Sequence, residues 1–434
     1  MKRKFIGLVS IFIFFGSLFS ITSGFAESSE VWTSKTSLPE ARAGAAIVEY
    51  GGKIYTFGGV GNAGHAAIGI KQKTTYVYDP SSDSWSKKSD MPTARSAATA
   101  AVVGDKIYVI GGYYDNDKGV ALRTPKVEVY SPDSDTWVTS TPMKVGRSWA
   151  ASAVVGDSIY VIGGANESAG IVSTVEALNT TTEVWTTKTN LPVAANAPSA
   201  VAYNGKIYLV GGLKSYNAPR ASYNSIYEYD PGSNMWKAKT NLLAATESAA
   251  IATLNGKIYI LGGANETVQH SAVQIYDPLE NKVSSFTQLT TSRFQSGAAV
   301  VDGQLYIIGG STGGTNGTLN TVESITLETP IPTIEPTPEP SVTPTPLPTP
   351  TPGQSTADRA ILTVTMNTGL EKEFDLSMEE VNSFITWYES KQSGSGTASY
   401  AINKHDNNKG PFISRKDYVI FDKILTFSVD EYSA

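Results

Sequence analysis

Six times along this chain the sequence Ile-Tyr-x-x-Gly-Gly recurs, once as Leu-Tyr-x-x-Gly-Gly, and this constrains the fold more than any other feature. It stands as Ile54-Tyr55 with Gly58-Gly59, Ile107-Tyr108 with Gly111-Gly112, and Ile159-Tyr160 with Gly163-Gly164. It returns as Ile207-Tyr208 with Gly211-Gly212, Ile258-Tyr259 with Gly262-Gly263, and Leu305-Tyr306 with Gly309-Gly310. The glycine doublets are 53, 52, 48, 51 and 47 residues apart. A unit of this length cannot bury its hydrophobic face alone, and the spacing matches one four-stranded blade of a radial array.

A second landmark follows the first in each unit: Tyr78-Asp79-Pro80 before Trp85, Tyr130-Ser131-Pro132 before Trp137, and Tyr229-Asp230-Pro231 before Trp236. The third unit reads Leu178-Asn179 before Trp185, without the turn proline. The fifth has Tyr276-Asp277-Pro278 and ends in Phe286. Alternating residues around these landmarks predict four short strands per unit: an apolar-small strand (residues 98 to 103 in the second unit), the Ile-Tyr strand, a Val-x-x-Tyr strand and the tryptophan strand. The sixth unit has no tryptophan strand before the prolines begin. Trp32-Thr33-Ser34-Lys35-Thr36-Ser37-Leu38-Pro39 reads like Trp185-Thr186-Thr187-Lys188-Thr189-Asn190-Leu191-Pro192. The N-terminal segment is therefore expected to supply the missing strand, close the ring and remove its open sheet edges.

These six units resemble the kelch repeat family over about residues 30 to 328. The resemblance implies an all-β fold, a six-bladed kelch β-propeller closed by an N-terminal strand. Ser131-Pro132-Asp133-Ser134-Asp135-Thr136-Trp137 looks like a sialidase-type Asp box, but it lacks that box's glycine and is a residue short. Such boxes also leave the glycine doublets unexplained.

Outside the repeats the composition changes. Lys2, Arg3 and Lys4 precede an apolar run to about residue 21 and then Thr22-Ser23-Gly24-Phe25-Ala26, the order of a secretory signal spanning residues 1–26. The propeller is then expected over 27–329, in a protein secreted or held at an extracellular surface, bacterial by its lack of cysteine, with no membrane insertion after signal cleavage. Residues 330 to 352 carry ten prolines with Thr and Glu. The segment 330–356 reads as an extended Pro/Thr linker of about 3 Å per residue. Residues 357–434 read as a small α+β domain. In it a hairpin turns at Asn367-Thr368-Gly369, and Ser377 with Glu380 caps a helix whose apolar face is Val381, Phe384, Ile385 and Tyr388. Further strands are expected at residues 399 to 402 and 418 to 429.

Thirty-four basic against forty acidic residues give a net charge of −6, which offers no cationic surface for nucleic acid. There is no cysteine, so no disulfide braces the chain, and thiolate, zinc-cluster and iron-sulfur chemistry are excluded. The same absence excludes the copper-radical oxidases among kelch propellers, whose tyrosyl cofactor needs a cysteine thioether. With His65, His270 and His405 the only histidines, no metal site and no cofactor is expected. Asp79, Asp230 and Asp277 read as turn initiators in preference to calcium ligands.

Alternating strand direction puts the second-to-third loops and the inter-blade loops on one face, the candidate binding face. The longest second-to-third loops, over residues 60 to 74, 113 to 124 and 213 to 224, supply His65, Tyr113, Tyr114, Asp115, Lys118, Arg123, Lys214, Tyr216 and Arg220. Twelve residues before each Ile-Tyr strand stand Arg42, Arg95, Arg147, Ala195, Thr246 and Arg293. The kelch resemblance implies that arginines at this position ring the mouth and contact acidic ligands. Two residues further on, Trp149 stands where the other units have Gly44, Ala97, Ala197, Ser248 and Gln295. Its indole is expected near the channel mouth, either stacking on a ligand or filling the channel. No GxSxG, HExxH or phosphate-cradling loop occurs. The sequence reads as a monomeric, non-catalytic module that binds an extracellular protein or glycan. The alternative is a carbohydrate-active enzyme, an epimerase or mutarotase using Glu167, Glu247 or Glu266.

Overall fold

The computed structural model describes residues 31–61, 69–216, 221–266, 268–314, 316–327, 359–366, 371–392, 399–403, 416–420 and 424–432. The proposed signal segment, the linker, His65, His405 and Arg220 lie outside the described residues. The chain divides into two compact units, Met1–Pro332 and Thr333–Ala434.

The first unit contains six four-stranded antiparallel sheets arranged as blades. In the second blade the strands run Thr99–Val103, Lys106–Ile110, Val127–Ser131 and Thr136–Ser140, from the central channel outward. The sixth blade draws on both ends of the repeat region. Gly297–Val301, Gln304–Ile308 and Val322–Thr326 are completed by Thr33–Lys35, whose Thr33 lies opposite Ser324 and Lys35 opposite Val322. The ring therefore closes as the sequence predicts.

The Ile-Tyr dipeptide holds each blade to both neighbours. Successive strand residues face opposite sides of a sheet. Ile107 accordingly joins Tyr55 and Phe57 of the first blade, while Tyr108 joins Ile159, Val161 and Leu178 of the third. The core is thus a set of inter-blade seams, where each fully buried Ile contributes about 1.5–3 kcal/mol. The glycine doublet is a matter of space. A Cβ at Gly111 would lie 2.5 Å from the Arg147 carbonyl, and one at Gly112 would lie 2.6 Å from that of Ser96. Both glycines have positive φ, so the inter-blade loops can cross the doublet closely only with glycine there.

A polar tie closes each seam at the rim. Asp135, in the left-handed region at φ 54°, accepts from the Tyr130 hydroxyl (2.6 Å) and from the Ser89 backbone N–H of the preceding blade (2.9 Å). The Trp137 indole donates back to the Ser89 carbonyl (3.0 Å). Asn234, Tyr229, Thr189 and Trp236 repeat the arrangement in the fourth blade. In the fifth blade the register corrects the sequence reading. Val283, not Phe286, lies opposite Tyr276 in the tryptophan position, and Phe286 sits opposite Val273 with its ring 5.8 Å from that of Tyr259.

In the second unit Arg359–Met366 is flanked by Glu371–Ser377 and Ile424–Tyr432, and Ser399–Asn403 pairs with Lys416–Ile420. The helix Met378–Gln392 starts at the predicted capping box, with the Ser377 hydroxyl 2.9 Å from Glu380. Its Val381 and Phe384 are buried with Leu362, Val364 and Phe374. Among the described residues, no helix is long and apolar enough to cross a membrane.

Candidate functional site

The two faces of the propeller are built differently. On one face each innermost strand turns into the second through two residues, as at Gly51-Gly52. On the other face the second-to-third loops carry small hairpins of their own, such as Tyr113–Asp115 with Ala121–Arg123, and Ala165–Asn166 with Gly170–Ile171. The inter-blade loops emerge on this same face.

The arginines expected to ring the mouth are turned inward. Arg42, Arg95, Arg147 and Arg293 are all at most 4% exposed. Arg95 donates to the carbonyls of Gly111 (3.1 Å) and Lys126 (3.3 Å), and its Nη2 lies 2.5 Å from the Glu128 carboxylate. Arg147 does the same with Gly163, Thr174 and Glu176 (2.6 Å), and Arg293 with Gly309, Thr321 and Glu323. Arg42 pairs with Glu40 and donates to Thr74. Burial pulls the pKa of Arg95, Arg147 and Arg293 below the ordinary arginine value, and the facing glutamates oppose the shift. Arg95, Arg147 and Arg293 tie the inter-blade loop to the glycine corner of their own blade, and Arg42 ties it to Thr74. They present no cation to an acidic ligand, because a buried charge must be satisfied internally.

Sequence reasoning missed Glu128, Glu176 and Glu323, yet the signal was there. Glutamate is the second residue of the third strand in the blades that carry Arg95, Arg147 and Arg293. Where arginine is replaced, so is its partner. The blade with Ala195 has Tyr227, and the blade with Thr246 has Gln274. Gln274 there exchanges two hydrogen bonds with the Ala244 backbone, and the Thr246 hydroxyl takes over the bond to the first glycine carbonyl (3.2 Å).

Just inside the arginines lies a closed backbone belt. Ala97 donates its N–H to Gly44, Trp149 to Ala97, Ala197 to Trp149, Ser248 to Ala197, Gln295 to Ser248 and Gly44 to Gln295, each at 2.8–3.0 Å. All six have φ between 49° and 61°, a conformation that costs a non-glycine residue about 1–2 kcal/mol and is held here by the belt. It frames a channel cavity of about 210 Å³ between the six innermost strands. Trp149, half-buried, lies at its mouth and packs toward Ala97 and Tyr113.

Outside the belt the loops hold one another from blade to blade. Lys71 of the first pairs with Asp115 of the second at 2.8 Å. Arg123 of the second pairs with Glu167 of the third (2.9 Å), donates to the Ser148 hydroxyl (3.1 Å) and the Tyr113 hydroxyl (2.9 Å), and sits 5.0 Å from the Tyr113 ring. Tyr113 is therefore buried support for Arg123, whereas Tyr114 is half-buried and Tyr216 is 51% exposed. The three glutamates weighed for acid-base work are scattered: Glu167 is held by Arg123, Glu247 is 1% exposed, and Glu266 projects from a hairpin into solvent. The turn aspartates are engaged on the opposite face. Lys53 and Ser81 pull the Asp79 pKa down to about 2, and Lys206 and the Gly232 N–H do the same for Asp230.

A closed six-bladed propeller with one face built of mutually braced loops around a channel is an interaction scaffold. The chain belongs to the kelch-repeat family: the KLHDC2/KLHL20/DRC7 Kelch-repeats domain matches residues 18–212 and 97–310, and the Kelch motif matches 292–330. Kelch propellers are protein-interaction domains. Among curated proteins the chain is similar to Kelch-like protein 35 of Homo sapiens, 34% identical over 61% of this chain and 43% of that protein. It is also similar to Kelch-like protein 26 of Danio rerio (32%, over 38% of this chain and 26% of that one) and to Kelch-like protein terF of Aspergillus terreus (30%, over 54% and 52%). The match thus spans about a quarter to a half of these relatives' length. A solved structure titled "Structure of YjhT" shares the fold at TM-score 0.59 and 16% identity, over 68% of this chain and 97% of that one.

Proposed function

We propose that this chain is an exported, non-catalytic binding protein that docks another macromolecule on the loop face of its propeller. The observation that carries this reading is where exposed apolar surface lies. Of the eleven large hydrophobic side chains exposed among the described residues, six project from the loop face: Ile70, Val120, Val145, Tyr216, Leu243 and Val268. An excess of exposed apolar side chains on the loop face favours that face over the opposite one as the docking surface. The loops bearing them are braced in advance by pairs such as Lys71 with Asp115, which lowers the ordering cost of association. In addition, the chain enters the sixth blade before Thr33 and leaves it after Thr326, both on the turn face.

The test is binding of the chain from residue 27 onward to labelled surface extract and a glycan array. An Ile70→Asp, Tyr216→Ser, Leu243→Asp variant is compared with Met235→Asp on the opposite side. Loss of binding in the first, with unchanged melting and retention in the second, is the expected result. The reverse pattern overturns the assignment of the face. Export is tested by sequencing the N-terminus of the protein recovered outside the cell: Glu27 is expected, and an intact Met1 in a cytoplasmic fraction contradicts it.

A further inference from the structure

The channel differs chemically from the loop face that surrounds it. Every residue lining its 210 Å³ is uncharged, and most are Ala, Ser, Thr or Gly. The nearest arginines are neutralised within their own blades. Each innermost strand stands at the end of its sheet, so its inner edge has no strand partner and turns backbone N–H and C=O groups toward the cavity. Hydroxyls supplement this array. Ser152 bonds Thr99 (2.5 Å) and the Ala100 carbonyl (3.1 Å), and Ser199 bonds the Ala249 carbonyl (2.7 Å). At the mouth stands the one aromatic side chain of the belt, Trp149, held in a left-handed backbone conformation that its neighbours meet with glycine, alanine, serine or glutamine.

From this juxtaposition we infer that the channel mouth binds a single uncharged pyranose ring, stacked on Trp149 with its hydroxyls directed to the Ser/Thr and backbone groups below. The inference rests on the loop face being the binding face and specifies what its centre recognises. The cavity holds the volume of about seven waters, enough for one ring bearing hydroxyls and too little for a folded peptide segment. A charged substituent entering it would lose hydration with no counter-charge to receive it. A free sugar and the terminal residue of a glycan share this chemistry.

The belt itself supplies variants that the backbone accepts. Trp149→Ala places at the third blade what Ala97 and Ala197 already place at the second and fourth. Ser248→Trp puts a second indole at a position whose φ of 52° is close to the 56° of Trp149, and obstructs the mouth. Calorimetry on the chain from residue 27 onward would use methyl β-glucopyranoside, N-acetylglucosamine and a neutral trisaccharide, with glucuronate and glucosamine as charged counterparts. At least one neutral sugar is expected to bind, at least tenfold more tightly than its charged counterpart, and to be weakened at least tenfold by either variant at unchanged melting temperature. A trisaccharide that binds more tightly than the methyl glycoside marks a glycan terminus as the natural source, and equal affinity marks a free sugar. Silence of all neutral sugars, equal binding of charged ones, or indifference to both variants overturns the inference. If macromolecular binding still responds to Ile70, Tyr216 and Leu243, the loop-face reading survives that failure; sugar binding without any such response sinks the loop-face reading alone.

Discussion

Truncating Arg95 to alanine would strand a buried charge. The guanidinium is fully enclosed and Glu128 is 2% exposed, so the variant leaves a carboxylate without counter-charge in the seam. It also removes a donor from the carbonyls of Gly111 and Lys126, of which Lys126 keeps the Gly111 N–H. Removing one partner of a buried, hydrogen-bonded pair costs about 3–5 kcal/mol, which for a domain of about 300 residues lowers the melting temperature by roughly 5–8 °C. The fifth blade shows how the same corner is held without charge, through Thr246 and Gln274. The double variant Arg95→Thr, Glu128→Gln is therefore expected to recover more than half of the loss. Urea and thermal unfolding of wild type, Arg95→Thr, Glu128→Gln and the double variant, followed by tryptophan fluorescence, form the complete cycle, with Arg95→Ala measured beside it. A single-variant cost under about 1 kcal/mol, the value of an exposed pair, would refute the buried-staple account. So would a double variant no more stable than Arg95→Ala, or one that melts normally but no longer binds a partner.

Two further outcomes follow from the rim ties. The hydrogen bond from Tyr78, aided by the Thr36 N–H, holds the Asp83 carboxyl below its ordinary pKa; at Asp135 burial pushes upward but the bonds from Tyr130 and Ser89 outweigh it. A folded pKa below the unfolded value of about 3.9 means that this stabilisation is complete above about pH 4 and is lost as pH falls through the lower folded value. Asp83→Asn with Asp135→Asn, copying Asn234 and Asn281, is expected to move the acid unfolding midpoint downward in a fluorescence pH titration; an unmoved midpoint counts against these ties. Val283→Trp installs the missing indole opposite Tyr276, where the Thr240 carbonyl takes the place that Thr189 holds for Trp236. A gain of about 0.5–2 kcal/mol in urea unfolding is expected, and a loss would show that the fifth seam is already filled.

The ring was legible in the sequence because its determinants are local and repeated. The Ile-Tyr alternation dictates which neighbour each side chain meets, the glycine doublets mark where loops cross, and the likeness of residues 32–39 to 185–192 foretells the closing strand. Tyr276 and Phe286 misled because a strand register is set by pairing, and Asp277 opposite Lys282 fixes Val283 as the partner of Tyr276. The arginines show the same limit more sharply. Their spacing puts them at the mouth, but a side chain several bonds long can point to solvent or to its own blade, and spacing does not distinguish the two. The choice fell inward because Glu128, Glu176 and Glu323, about thirty residues further along, arrive beside them only after the third strand has paired. The belt and the uncharged channel belong wholly to the tertiary level. Each belt residue takes its hydrogen bond from a different blade, so their left-handed backbone, and the placing of Trp149 at the mouth, exist only once six separately encoded blades have closed into a ring.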